Sequence, residues 1–346
     1  MDAVKIITSV LTLISGVGIF LIACSIMSGG LEALGGGRLK ILLAKTSKSK
    51  LAGVGIGAAA TAIIQSSSAT SVMVIGFVNS GIMTLTQAAT VLFGANIGTT
   101  VTGQLVAVGL IGDNAISASV VFGAFAGVGA FVRILAKRDK AKNIGNIIAG
   151  FGMLFVGLSM MSGAFAHFSE LDGVKSFLAL FDNPLLSVLV GLLLTAMIQS
   201  SSAMTSMTIA SVVTGLISLN QGIYLTMGAN IGTCVTALIA GVGGAKNAKR
   251  AALIHLIFNV SGVAVFLIIG AVMQIWRYDY GRLFAAILPY APQLQLAVFH
   301  TVFNVATVIL VLPFTNALVK LVTIIVPDKK SATPKSRRSR CTARAK

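Results

Sequence analysis

The sequence predicts an all-α polytopic membrane protein made of two inverted-topology repeats, each with a re-entrant helical hairpin and an unwound helix, plus one extra C-terminal span. Three observations predict it. Of 346 residues, 56% are hydrophobic and only 10% are charged, against about 25% charged in ordinary soluble domains; mean hydropathy is +0.95. Two polar words sit inside apolar stretches and each occurs twice. Gln65-Ser66-Ser67-Ser68-Ala69 returns as Gln199-Ser200-Ser201-Ser202-Ala203, and Gly94-Ala95-Asn96-Ile97-Gly98-Thr99 returns as Gly228-Ala229-Asn230-Ile231-Gly232-Thr233. Both return at the same offset of 134 residues, so the second half repeats the first in register.

Apolar runs of bilayer-crossing length, about 20 residues each, fall near 6–28, 85–110, 115–136, 146–166, 221–243, 251–275 and 293–326. The first contains Leu21-Ile22-Ala23-Cys24, which resembles a lipoprotein cleavage box, but only Lys5 supplies positive charge before it. Moreover, Gly16-Val17-Gly18 through Met27-Ser28-Gly29 recurs as Gly150-Phe151-Gly152 through Met161-Ser162-Gly163. It reads as a first span, not a removable signal.

The stretches 51–80 and 185–214 carry the Gln-Ser-Ser-Ser words at their centres. Each splits there into pieces of about 12–15 residues, too short to span singly. Two half-length helices around a polar break predict a re-entrant hairpin, whose irregular backbone is tolerated at depth only in protein or beside a cavity. The predicted division is therefore repeat 1 over 1–137, repeat 2 over 138–276, the extra span within 277–326, and a basic tail over 327–346, rich in Ser, Thr and Arg and expected to be disordered.

The charge pattern follows that count. With residue 1 outside and both hairpins returning to their own side, Arg38, Lys40, Lys45, Lys48 and Lys50 are cytoplasmic. So are Lys137, Arg138, Lys140 and Lys142, then Lys246, Lys249 and Arg250, then the tail. The outer face holds Asp113, Glu170, Asp172, Asp182 and Asp279, with Lys5, Lys175, Arg277 and Arg282 as its basic residues. Every major loop then obeys the positive-inside rule, with the N-terminus outside and the C-terminus cytoplasmic. Apart from Arg133 and Lys320, near helix ends, the basic residues behind the net charge of +17 lie between apolar runs or in the tail, so they make no surface for nucleic acid. Three cysteines, Cys24, Cys234 and Cys341, have neither metal nor disulfide spacing.

The words carry chemistry. A tip written Gln-Ser-Ser-Ser starts a helix on serines, which are favoured N-caps, and leaves free N–H groups with a partial positive charge. Two such ends facing one another suit an oxyanion. In the Gly-Ala-Asn-Ile-Gly-Thr word, two glycines flank an asparagine, a pattern that can unwind a helix. Unwound carbonyls with Asn, Gln, Thr and Ser oxygens would then cage a hard cation. The predicted spans hold no Asp or Glu near their centres, which favours sodium over protons as coupling ion, with His255 and His300 keeping protons open. Small residues in such helices otherwise serve close packing, which accounts for Gly16, Gly18, Gly55, Gly57 and Gly123 but not for the repeated words. The pairs His255/Asn259 and His300/Asn304 share a helix face at i, i+4 and read first as inter-helix hydrogen bonding.

At these residues the chain resembles the sodium/phosphate cotransporter family, the type II group with its bacterial relatives, over roughly 10–320. The resemblance implies sodium-coupled symport of inorganic phosphate across the cytoplasmic (inner) membrane by alternating access, with no cofactor beyond sodium. It implies Ser66, Ser67, Ser68, Ser200, Ser201 and Ser202 as phosphate ligands. Gln65, Gln199, Asn96, Asn230, Thr99, Thr100 and Thr233 would hold sodium, and no transition metal is expected. Cys234 stands where the first repeat has Thr100, which removes one hydroxyl. Many bacterial relatives carry a cytoplasmic PhoU-like domain after the last span; here its role would be absent or fall to a separate PhoU-like regulator. A homodimer is left open.

Other classes make different demands. Another small oxyanion or a carboxylate would use the same tips, although no Arg or Lys stands there to hold it tightly. An intramembrane serine hydrolase would need Ser67 or Ser201 beside His255 and an oriented third group. A non-transporting scaffold would be indifferent to alanine at all the repeated serines.

Overall fold

The computed structural model describes residues 2–44, 49–111 and 118–328, and these are helical from end to end apart from short connections. The first helix, α1 (Asp2–Ala44), has 43 residues and is about 65 Å long, roughly twice the hydrocarbon thickness of a bilayer. Arg38 and Lys40, predicted in a loop, continue this helix instead. Gly35-Gly36-Gly37 weaken it by about 1 kcal/mol each relative to alanine, yet no proline or cap residue stops it. Lys45, Lys48 and Asp113 of the predicted loops, and the tail from residue 329 onward, lie outside the described residues.

Helix α2 (Lys50–Ile64) starts on Ser49, whose hydroxyl accepts from the Ala52 amide. It is followed by α3 (Ser67–Asn79) and by α4 (Leu85–Gly109), which opens with a Thr84/Gln87 capping box. The next helices are α5 (Ala118–Leu135) and α6 (Asp139–Phe168), then the short α7 (Asp172–Ala179). Asn183 caps α8 (Pro184–Ile198), with proline at its first position, where the missing N–H is no loss. Then come α9 (Ser201–Val213), α10 (Leu219–Gly232), α11 (Cys234–Val242), α12 (Lys246–Ile275) and α13 (Tyr280–Ile287). The last part is α14 (Pro292–Val311), a 3₁₀ turn at Leu312–Phe314 around Pro313, and α15 (Thr315–Ile325).

Among the described residues, six helical stretches are long and apolar enough to cross a membrane: α1, α4, α6, α10 with α11, α12, and α14 with α15. The α7–α8 pair, bent by 105°, would make a seventh. The span predicted at 115–136 is α5, with 18 residues and about 27 Å, which falls short of that group. Large apolar side chains such as Ile14, Phe131, Ile134, Ile268, Ile309 and Ile324 stand exposed; a water-soluble monomer buries most such surface, a membrane-embedded one turns it to lipid.

Contacts follow the duplication where it matters. Helix α2 packs along α4 and α8 along α10, while α1 packs along α6. The pairing of α1 with α6 is glycine on glycine: a Cβ on Gly16 would lie 2.9 Å from the Gly157 carbonyl oxygen, and one on Gly157 2.7 Å from that of Gly16. Symmetry ends at the last helix of each half, since α5 packs mainly on α6 whereas α12 packs on α11 and also on α3, α4 and α14.

The unwound helices are not found. In the first repeat the Gly-Ala-Asn-Ile-Gly-Thr word runs inside unbroken α4. In the second, Thr233 between α10 and α11 keeps helical dihedrals, φ −60 and ψ −28, and its amide still bonds the Ala229 carbonyl at 3.1 Å. The glycines serve close approach instead. A Cβ on Gly94 would collide with the Val54 carbonyl, and one on Gly228 with the Val188 carbonyl. Gly57 and Gly191 meet Val91 and Leu225 from the facing helix in the same way. Small-residue packing thus explains half of the second word, and the helix has no reason to open there.

Candidate functional site

Both Gln-Ser-Ser-Ser words break their helices by the same device. Gln65 (φ 59, ψ 27) and Gln199 (φ 56, ψ 26) end α2 and α8 in the left-handed region, which costs a side-chain-bearing residue about 1–2 kcal/mol. The next serine turns extended and caps the following helix: Ser66 Oγ accepts from the Ala69 amide and Ser200 Oγ from the Ala203 amide, each at 3.2 Å. Capping that amide leaves those of Ser67, Ser68, Ser201 and Ser202 at the first turns, where an α-helix supplies no acceptor.

The two tips meet. Gln65, Ser66, Ser67 and Ser68 line one cavity of about 390 Å³ together with Gln199, Ser200, Ser201 and Ser202. That volume would take about a dozen waters, enough for a tetrahedral oxyanion with cations beside it. All six serines proposed as anion ligands are therefore brought together, with both glutamines.

The third wall is α1, which the sequence reading left out. Ser25, Ser28 and Glu32 line the cavity with Leu21 and Cys24, and Ser28 Oγ donates to the Gln65 carbonyl at 3.4 Å. Glu32 puts a carboxylate at the cavity, although the predicted spans hold none near their centres; it lies beyond residue 28, where the predicted first span ends, on the part of α1 that carries on past it. The spacing 25, 28, 32 on one helix face was the available signal. Thr102 of α4 was missed as well. Its hydroxyl donates to Gln65 Oε1 at 2.9 Å and receives that of Ser202 at 3.5 Å, so it touches both words. The signal was there too, since Gly98-Thr99-Thr100-Val101-Thr102 and Gly232-Thr233-Cys234-Val235-Thr236 extend the second word.

The remaining cation candidates lie apart from this cavity. Asn96 is buried, giving Nδ2 to Asn259 Oδ1 at 2.7 Å and accepting on Oδ1 from His255 Nε2 at 3.2 Å. Asn230 Nδ2 donates to the Thr226 carbonyl at 3.0 Å. Thr99, Thr100 and Thr233 donate to Ala95, Ile97 and Ala229 carbonyls of their own helices. None of these five lines the cavity. Cys234 joins the Asn96 knot, its sulfur receiving Asn259 Nδ2 at 3.2 Å. His255 thus bonds across helices to Asn96, not to Ser67 or Ser201 as a hydrolase would require. His300, on α14, is buried with Nδ1 facing Gly103.

The sequence profile of the Na⁺/Pi-cotransporter family matches residues 19–163 and 168–289. The chain is 33% identical over 270 residues to the uncharacterised protein YqeW of Bacillus subtilis, covering 78% of this chain and 82% of that one. It is 25% identical over 323 residues to YjbB of Escherichia coli, whose name assigns it provisionally to inorganic phosphate export; 93% of this chain aligns with 56% of that one. A shorter match, 35% over 141 residues, joins 36% of this chain to 20% of the human sodium-dependent phosphate transport protein 2B. The chain thus spans about half the length of the E. coli relative and a fifth of the human one. No solved structure matches it. With the family profile matched over most of its length, this multi-pass membrane protein belongs to the Na⁺/Pi-cotransporter family.

Proposed function

We propose that the chain is a sodium-coupled secondary active symporter of inorganic phosphate in the cytoplasmic membrane, working by alternating access. The observation that carries this reading is the convergence of the two Gln-Ser-Ser-Ser tips on one cavity. Amides and hydroxyls at two helix starts offer an oxyanion many donors and no fixed positive charge, so a held phosphate can also leave. Hydrogen bonds of this charge-assisted kind are worth about 1.5–3 kcal/mol each.

In this reading Ser66, Ser67, Ser68, Ser200, Ser201 and Ser202 bind phosphate. Sodium is held by oxygens of Gln65 and Gln199 at the tips, and by Asn96, Asn230, Thr99, Thr100 and Thr233 in a state where their helices rearrange. The halves 1–137 and 138–276 enter the membrane with opposite topology, their short helix pairs re-entering it, and 277–326 adds a last span. The positive-inside count supports an outside N-terminus and a cytoplasmic C-terminus. A homodimer and a separate PhoU-like regulator belong to the same reading as partners. Direction is set by the summed gradients, so the export named for the E. coli relative and sodium-driven uptake use one cycle.

Uptake of radiolabelled phosphate into proteoliposomes, with and without an inward sodium gradient, tests the proposal. Sodium-stimulated uptake, displaced by unlabelled phosphate, is expected. Uptake indifferent to sodium would remove the coupling. No saturable phosphate uptake, with sodium-driven uptake of labelled sulfate or of a labelled carboxylate in its place, would reassign the substrate.

A further inference from the structure

Resting on that transport reading, we propose that Glu32 is a sodium ligand at the cavity and makes anion loading conditional on the cation. Among the residues that line the cavity, Glu32 brings the one formal charge; every other polar group there is a serine, a glutamine or a cysteine. Its side chain is exposed, and among the described residues it has no ion-pair partner. A negative charge inside a site assembled to bind an anion opposes that anion directly. At the effective dielectric near a protein surface, a fixed carboxylate sharing a cavity of this size with the anion weakens its binding several-fold. A bound cation reverses the sign of that effect.

The geometry gives the cation further ligands. Ser25, Ser28 and Glu32 share one face of α1 at i, i+3 and i+7, and Ser28 reaches the carbonyl of Gln65 at 3.4 Å. That carbonyl belongs to the left-handed residue that ends α2. Carboxylate, carbonyl and hydroxyl oxygens are the donors a hard cation takes. The spacer is also in place: Gly36, one turn beyond Glu32, leaves room that a Cβ would take, 3.0 Å from Glu32 Cγ. A cation bound here lies between α1 and the first Gln-Ser-Ser-Ser tip and holds them together. Electrostatics then couples the two ligands: bound sodium strengthens phosphate binding, and bound phosphate strengthens sodium binding by the same factor.

The test uses purified full-length protein in three forms: wild type, Glu32→Gln and Glu32→Asp. Equilibrium ²²Na⁺ binding is measured without phosphate, and phosphate binding is measured with sodium and with choline in its place. Wild type should bind sodium, and Glu32→Gln should bind it at least about tenfold more weakly, while Glu32→Asp keeps most of the affinity. In choline, phosphate should bind Glu32→Gln several-fold more tightly than wild type, because the opposing charge has gone. Unchanged sodium affinity in Glu32→Gln overturns the proposal. So does a wild type whose phosphate binding follows a proton, rising at low pH without sodium, with that dependence lost in Glu32→Gln. A Glu32-dependent sodium site in a protein that moves no phosphate would sink the transport reading and leave this site standing.

Discussion

Thr102 donates its hydroxyl to Gln65 Oε1 at 2.9 Å, so a residue of α4 fixes the amide at the tip of the first helix pair. The other end of that amide is fixed as well, Nε2 donating to the Ala62 carbonyl at 2.7 Å. Because the Ser202 hydroxyl also reaches Thr102, one buried oxygen sets the separation of the two words.

Thr102→Val keeps the shape and removes the hydroxyl. A neutral hydrogen bond of this kind contributes about 1 kcal/mol, so half-saturation for phosphate should rise about fivefold while the amount of folded protein stays the same. Thr102→Ser should restore it. Substrate titrations of uptake on the three forms check this, and an unchanged half-saturation in Thr102→Val would remove Thr102 from the site.

Gly94→Ala and Gly228→Ala should each destabilise the protein by about 1–3 kcal/mol, the usual cost of overpacking, because each Cβ meets a carbonyl of the facing helix. Gly18→Ala is the control: nothing lies within 4 Å of its Cβ position. Thermal unfolding in detergent should separate the two classes. If Gly94→Ala is as stable as wild type, the close approach of α2 to α4 is wrong.

Asn96→Leu should cost about 1–3 kcal/mol, because it leaves His255 Nε2 and Asn259 Oδ1 buried without their partner. If Asn96 also takes sodium in another state of the cycle, Asn96→Leu lowers sodium affinity beyond this loss of stability. Stability and ²²Na⁺ binding measured side by side separate the two effects.

Arg250 holds the end of α15. It is 5% exposed, its Nε and Nη2 both donate to the Val326 carbonyl, at 2.9 and 2.7 Å, and Nη2 pairs with Asp328 at 3.0 Å. Arg250→Lys loses the two-pronged grip that only a guanidinium provides. Limited proteolysis should then cut after α15 several-fold faster, with the core helices intact. Equal cutting rates would show that the clasp does not restrain this segment.

Much of this was legible in the sequence, for definite reasons. The helix pairs at 50–64/67–79 and 184–198/201–213 were visible because Gln-Ser-Ser-Ser puts cap residues inside apolar runs, and the structure breaks each pair within a residue or two of the expected place. The glycines of the second word misled, since glycine serves both unwinding and close contact, and only the facing backbone of Val54 or Val188 decides between them. The course of α1 was illegible from hydropathy because a helix does not end where the bilayer does. Glu32 was lost with it. Helix α7 was missed because eight mixed residues carry too short a period to count.

The central claim is that the two words form halves of one anion site. Phosphate binding to purified protein in sodium, by isothermal titration, tests it most directly on wild type, Ser67→Ala and Ser201→Ala. One phosphate per chain is expected, with each substitution weakening that same event by roughly tenfold or more, as the loss of a charge-assisted hydrogen bond implies. Two separate binding events, one lost with Ser67 and the other with Ser201, would contradict it.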